Sequence, residues 1–126
     1  MRTPHTYRHK GEKHTIDLEQ VYCAKALDNQ CLLIPWLGVA LIYPYPLCDF
    51  EKVVAGMGFS RTHHSYLALY SAIIDYIRPD AIFSNGEKVP VSRKYLKDVE
   101  AHLAKIRMEA FTLGLAHPFF LPLSAR

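Results

Sequence analysis

Residues 80–91 read DAIFSNGEKVPV, two β-prone runs with Asn85-Gly86 between them. A type I′ turn needs positive φ at both central residues, and Asn-Gly supplies that at least cost, so the stretch predicts a hairpin of 80–84 with 87–91. The period then changes. From Ser92 onward Leu96, Val99, Leu103, Ile106 and Ala110 recur at spacings of three and four, which is one apolar stripe on a helix. Ser92 is placed to cap its start, and Gly114 marks its expected end. A tight hairpin running straight into a terminal helix points to a mostly β chain with minor α content.

Upstream, residues 16–34 read IDLEQVYCAKALDNQCLLI, with an Asp28-Asn29 turn signal dividing strands expected at 20–26 and 30–34. A third strand is expected at 38–43, stopped by Pro44 and Pro46, which cannot donate to a ladder. The whole of 31–47, CLLIPWLGVALIYPYPL, lacks a charge but carries three prolines and Gly38. It is too short and too broken for a bilayer span, and reads as two buried strands separated by a turn. Asp49 ahead of Phe50, Val53 and Val54, with Gly56 and Gly58 behind, predicts a capped helix of at most two turns.

A length of 126 residues, half of them apolar and 21% charged, fits one domain and excludes a disordered linker or a histone-like polycation. Three cysteines without a C-x-x-C spacing suggest neither a disulfide framework nor a zinc ribbon, so a reducing cytoplasm is the simplest setting. The opening MRTPHTYRHKGEKH is polar and does not read as a secretory signal. Charge is segregated. Residues 1–14 hold four Lys/Arg against one acid, residues 15–87 four against eight, and residues 88–107 six against two. Two cationic ends around an acidic middle suit a polyanion-binding surface, although a solvated helix face plus a basic tail would give the same pattern.

Two segments carry the functional signal: FSRTHHSYLAL at 59–69 and NGEKVPVSRKYLKDVEAHL at 85–103. Together they resemble the LytTR family of bacterial DNA-binding domains. Phe59, Arg61, His63, Ser65, Tyr66 and Leu67 match its first motif, and Asn85, Gly86, Val89, Pro90, Val91, Ser92, Arg93 and Tyr95 match its second. Ala68-Leu69 departs from the usual Val-Asn, His64 stands where a cation is common, and Lys25 replaces a glutamate. The resemblance implies small stacked antiparallel sheets with a short helix and a C-terminal helix. It also implies sequence-specific binding of double-stranded DNA by a transcription regulator, with loops entering successive major grooves and with paired copies as a possible homodimer. It covers residues 15–107. Residues 1–14 are then expected to be a flexible basic tail, and 108–126 the end of the helix plus an apolar tail that folds back or pairs with a second copy. The 126 residues carry no phosphoacceptor machinery of the receiver domain common in the family, so the chain is expected to be either a stand-alone regulator or a fragment of something longer.

The expected DNA contacts are Arg93, at a strand-to-helix junction, with Ser92 and Lys94 beside it, then His64, Arg61, and Lys25 with Asn29 at the first turn. A guanidinium fork reads phosphates or base edges, a hydroxyl and an ammonium bind phosphate oxygens, and a helix start adds N–H donors. The bland alternatives are surface ion pairs and solvated hairpin tips. In an extended segment His63 and His64 would point to opposite faces, so at most one would meet DNA. Arg61 is expected to support the loop or meet a phosphate. No H-E-x-x-H or G-x-S-x-G motif is present, so no enzyme, metal, cofactor or small-molecule substrate is expected, and no membrane partner. The rival reading is a LytTR-like module that has lost DNA binding and controls a protein partner through apolar surfaces.

Overall fold

The computed structural model describes residues 3–112. Ten strands and two helices follow in the order β1 (Pro4–His9), β2 (Glu12–Asp17), β3 (Val21–Leu27), β4 (Gln30–Pro35), β5 (Leu41–Tyr43), α1 (Leu47–Val53), β6 (Phe59–His63), β7 (Tyr66–Leu69), β8 (Ile73–Ile77), β9 (Asp80–Phe83), β10 (Lys88–Pro90) and α2 (Arg93–Thr112). They form three antiparallel sheets: β1-β2, a central β5-β4-β3-β7-β6, and β10-β9-β8. The fold is therefore mostly β in small stacked sheets, with one short helix and one long terminal helix.

The central sheet is covered on both faces. On one side Val21, Ala24, Cys31, Leu33 and Leu67 pack with Phe50 of α1 and with Tyr7 and Ile16 of the first hairpin. On the other, Tyr22, Cys23 and Ala68 meet Ile73, Ala81, Phe83 and Val89, together with Val99 and Leu103 of α2. A bulge between Val21 and Cys23 lets Tyr22 and Cys23 both enter the second core, against strict alternation. This is why VYCA reads as a continuous apolar run: β3 is the middle strand of a buried sheet.

Local expectations fail in informative places. The amino-terminal basic segment is not a flexible tail: residues 4–17 form the β1-β2 hairpin, closed by Lys10 and Gly11 at φ of +52° and +80°. A lysine in the left-handed region is uncommon, so Gly11 is the one local signal of this turn. The Asn85 turn exists, but only Gly86 has positive φ. Gly86 N–H donates to the Phe83 carbonyl and Phe83 N–H to the Glu87 carbonyl, which is a three-residue loop ending in a left-handed glycine and not a type I′ turn. α1 begins at Leu47 behind Pro46, so Asp49 lies inside its first turn instead of capping it. The stretch 31–47 does hold two strands, yet Leu37 and Val39 are 84% and 80% exposed, because they lie in the connection between β4 and β5 and not on a strand. The end of the apolar tail, from Leu113, lies outside the described residues. Among the described residues no helix is long and apolar enough to cross a membrane.

Candidate nucleic-acid interface

The turn between β6 and β7, His64-Ser65, is held from several sides. Ala26 N–H of β3 donates to the Ser65 carbonyl at 2.8 Å, and Ser65 N–H donates to Nδ1 of His63 at 3.1 Å. Arg61 supplies the main brace. Its Nε and Nη2 lie 3.1 and 3.0 Å from the same carboxylate oxygen of Glu51, and its Nη1 donates to the His64 carbonyl. Behind it, the Tyr70 hydroxyl donates to the Arg61 carbonyl at 2.7 Å. Burial, helped by Asp98 and Tyr95, pushes the Tyr70 phenol up to about 12, so it stays a donor at neutral pH.

His63 and His64 do not part to opposite faces. His64 lies in the turn beyond the strand, where alternation no longer applies, and the two rings sit 4.3 Å apart centre to centre. Partial burial, then the neighbouring His64, lowers the pKa of His63. The Ser65 bond adds to this by using the Nδ1 lone pair, which favours the neutral ring. His64 is the exposed member of the pair.

A bulge between Arg61 and His63 makes Thr62 the extra residue of β6. Its carbonyl accepts the Ser92 N–H at 2.8 Å, which ties the start of α2 to β6. The Ser92 carbonyl in turn accepts the Tyr95 N–H, so Ser92 stands at the cap position. Arg93 and Lys94 follow, both exposed, with Lys94 Nζ 5.3 Å from the centre of the Tyr95 ring. Arg93 lines an open cleft of about 600 Å³ with Tyr76, Arg78, Leu96 and Glu100. On the far side of the turn, Lys25 pairs with Tyr66 across β3 and β7 and places its ammonium 5.8 Å from that ring's centre. Asn29 is exposed at the β3-β4 tip.

Two backbone bonds thus link the Lys25 strand to the His64 turn and β6 to the Arg93 helix start, as one rim, and the Arg61 guanidinium is committed to internal contacts. Sequence reasoning missed Glu51 and Tyr70, which brace the turn, and Arg78, which shares the Arg93 cleft. The Val91 N–H bond to the Pro79 carbonyl brings the Arg78 loop there, a long-range effect with no local pattern. The His5-x-x-x-His9 spacing lies on a strand, which separates the two residues by about 13 Å along the chain. Among the described residues no group of three or more His, Cys, Asp or Glu is placed to hold a metal.

The family model of the LytTr DNA-binding domain matches residues 11–104. The chain belongs to the LytTr DNA-binding domain family. That match spans the whole linked rim, from Lys25 to Lys94, so the rim belongs to a DNA-binding domain. A solved LytTr DNA-binding domain from Bacillus cereus shares the fold, with a TM-score of 0.62 and 23% identity over 79% of this chain and 95% of that one. No curated protein matches the chain.

Proposed function

We propose that this LytTr domain binds double-stranded DNA sequence-specifically as the output module of a transcription regulator, with its loops in successive major grooves. The observation that carries the reading is the pair of backbone bonds, Ala26 to Ser65 and Ser92 to Thr62, that make three separate segments one continuous rim. The rim offers Lys25, Asn29, His64, Arg93 and Lys94, all exposed. A rigid sheet edge with cations and small polar groups is what groove and phosphate recognition needs. Arg93 reads a base edge or grips a phosphate; Lys94, Ser92 and Lys25 meet phosphates; His64 and Asn29 bond within the groove; Arg61 positions the His64 turn. Neither a cofactor nor a small-molecule substrate enters this reading.

Selecting bound sequences from a random duplex pool and titrating the winner tests it. Arg93→Ala should cost roughly 1–3 kcal/mol of affinity for that site with an unchanged circular dichroism spectrum. Unchanged affinity would remove Arg93 from the interface. The protein-interaction reading draws on one observation, the exposed Leu37 and Val39 ahead of β5 with Leu41 and Ile42 on it. It predicts weak retention on heparin, where a DNA binder elutes late and shifts steeply with salt.

A further inference from the structure

We propose that the β1-β2 hairpin is a second DNA-gripping arm, its Arg8, Lys10 and Lys13 holding phosphates of the duplex outside the stretch read by the sheet edge. This rests on the DNA-binding reading of the rim. The family match starts at residue 11, so β1 with Arg8 and Lys10 stands ahead of it.

The arm is rigid. At its base Thr3 N–H donates to Asp17 Oδ1 and Leu18 N–H to the Thr3 carbonyl, and midway Tyr7 and Ile16 are buried in the first core. With one face turned inward, alternation sends Thr6, Arg8, Lys13 and Thr15 outward. Arg8 and Lys13 are direct cross-strand partners, and both are exposed, as is Lys10 at the turn. Like charges in direct opposition destabilise a strand pair. Among the described residues none of the three cations makes an ion pair, and Glu12 is the one acid between them. A patch that costs the fold stability fits a polyanion that relieves the repulsion.

The hairpin also points the right way. Its base lies by Leu18 and Val21, at one end of β3, while Tyr7 reaches Tyr43, with ring centres 5.1 Å apart. Tyr43 pairs with Cys31, two residues from Asn29. The turn at Lys10-Gly11 continues past Tyr7 by about 10 Å, toward the end of the sheet that carries Lys25 and Asn29.

The test compares three proteins of residues 1–126 on a 40-base-pair duplex with the selected site at its centre, recording affinity against salt: wild type, R8Q/K10Q/K13Q, and the charge-matched K52Q/K88Q/K105Q. The hairpin variant should flatten the log–log salt slope by about 2–3 and weaken binding on the order of tenfold, and the matched variant should change the slope by less than about 1. Thermal midpoints should not fall in the hairpin variant, since a like-charge pair is removed; if one does, K10Q/K13Q gives the same reading with a smaller slope change. Equal slopes for wild type and hairpin variant, or equal flattening by both variants, overturn the arm while leaving the rim intact. Wild type that does not bind the duplex at all overturns both.

Discussion

Arg61 and Arg93 both fall on family motif positions, yet the β6-β7 turn and the first turn of α2 use them differently. Arg61 spends its guanidinium on Glu51 and the His64 carbonyl, with its side chain only 18% exposed. Arg93 is exposed, and among the described residues it makes no ion pair. Beyond the Ala26 backbone bond the turn is braced by the Arg61 side chain, whereas the helix start is tied to β6 through the backbone of Ser92 and Thr62. A motif arginine is therefore held inside the fold or left exposed according to whether the fold brings a carboxylate to it.

The largest effect that tests this contrast is on stability. Arg61→Ala leaves Glu51 and the His64 carbonyl without their shared partner and should destabilise the domain by about 1–2 kcal/mol, the lower part of the charged hydrogen-bond range because Glu51 is partly solvated. Chemical denaturation measures it. Arg61→Ala that loses DNA affinity at unchanged stability would break the contrast, since Arg61 would then be facing the ligand. A smaller and opposite effect is expected at the junction of the two regions. Among the described residues the buried Thr62 hydroxyl has no hydrogen-bond partner, so Thr62→Val should leave stability unchanged or raise it by up to about 1 kcal/mol. A loss would mean that the hydroxyl is satisfied in solution.

The smallest effect is in pH. The folded state lowers the His63 pKa below its unfolded value, so the unfolded chain binds more protons in that window. Stability from this group is fully present above the unfolded pKa of about 6.5 and is lost as pH falls through the folded value. Wild type should lose more of its thermal midpoint between pH 7.5 and 5.5 than His63→Gln does. Equal losses would place His63 outside the brace.

What was legible in the sequence was local. The Asn85-Gly86 hairpin and the α2 stripe are written in neighbouring residues, and Arg93, Lys94, His64, Lys25 and Asn29, the proposed contacts, are all exposed. What was not legible depends on unusual backbone or distant contacts. Lys10 accepts a positive φ that its residue type does not advertise, which concealed a whole hairpin. β8 carries a buried Asp75 in IIDYI, a carboxylate that Tyr76 N–H and Arg107 satisfy from one and 32 residues away. Glu51 reaches Arg61 across ten residues, and nothing near either position announces the pair.

The double-sided central sheet also sorts the three thiols. Cys31 faces one core and Cys23 the other, and burial pushes both up to about 12, which leaves almost no thiolate at neutral pH. Cys48 on α1 is exposed. The native protein should therefore take up one equivalent of a maleimide dye and the denatured chain three. Labelling stoichiometry then counts opened molecules, and the first equivalent provides a fluorescent handle on α1 without any engineered residue.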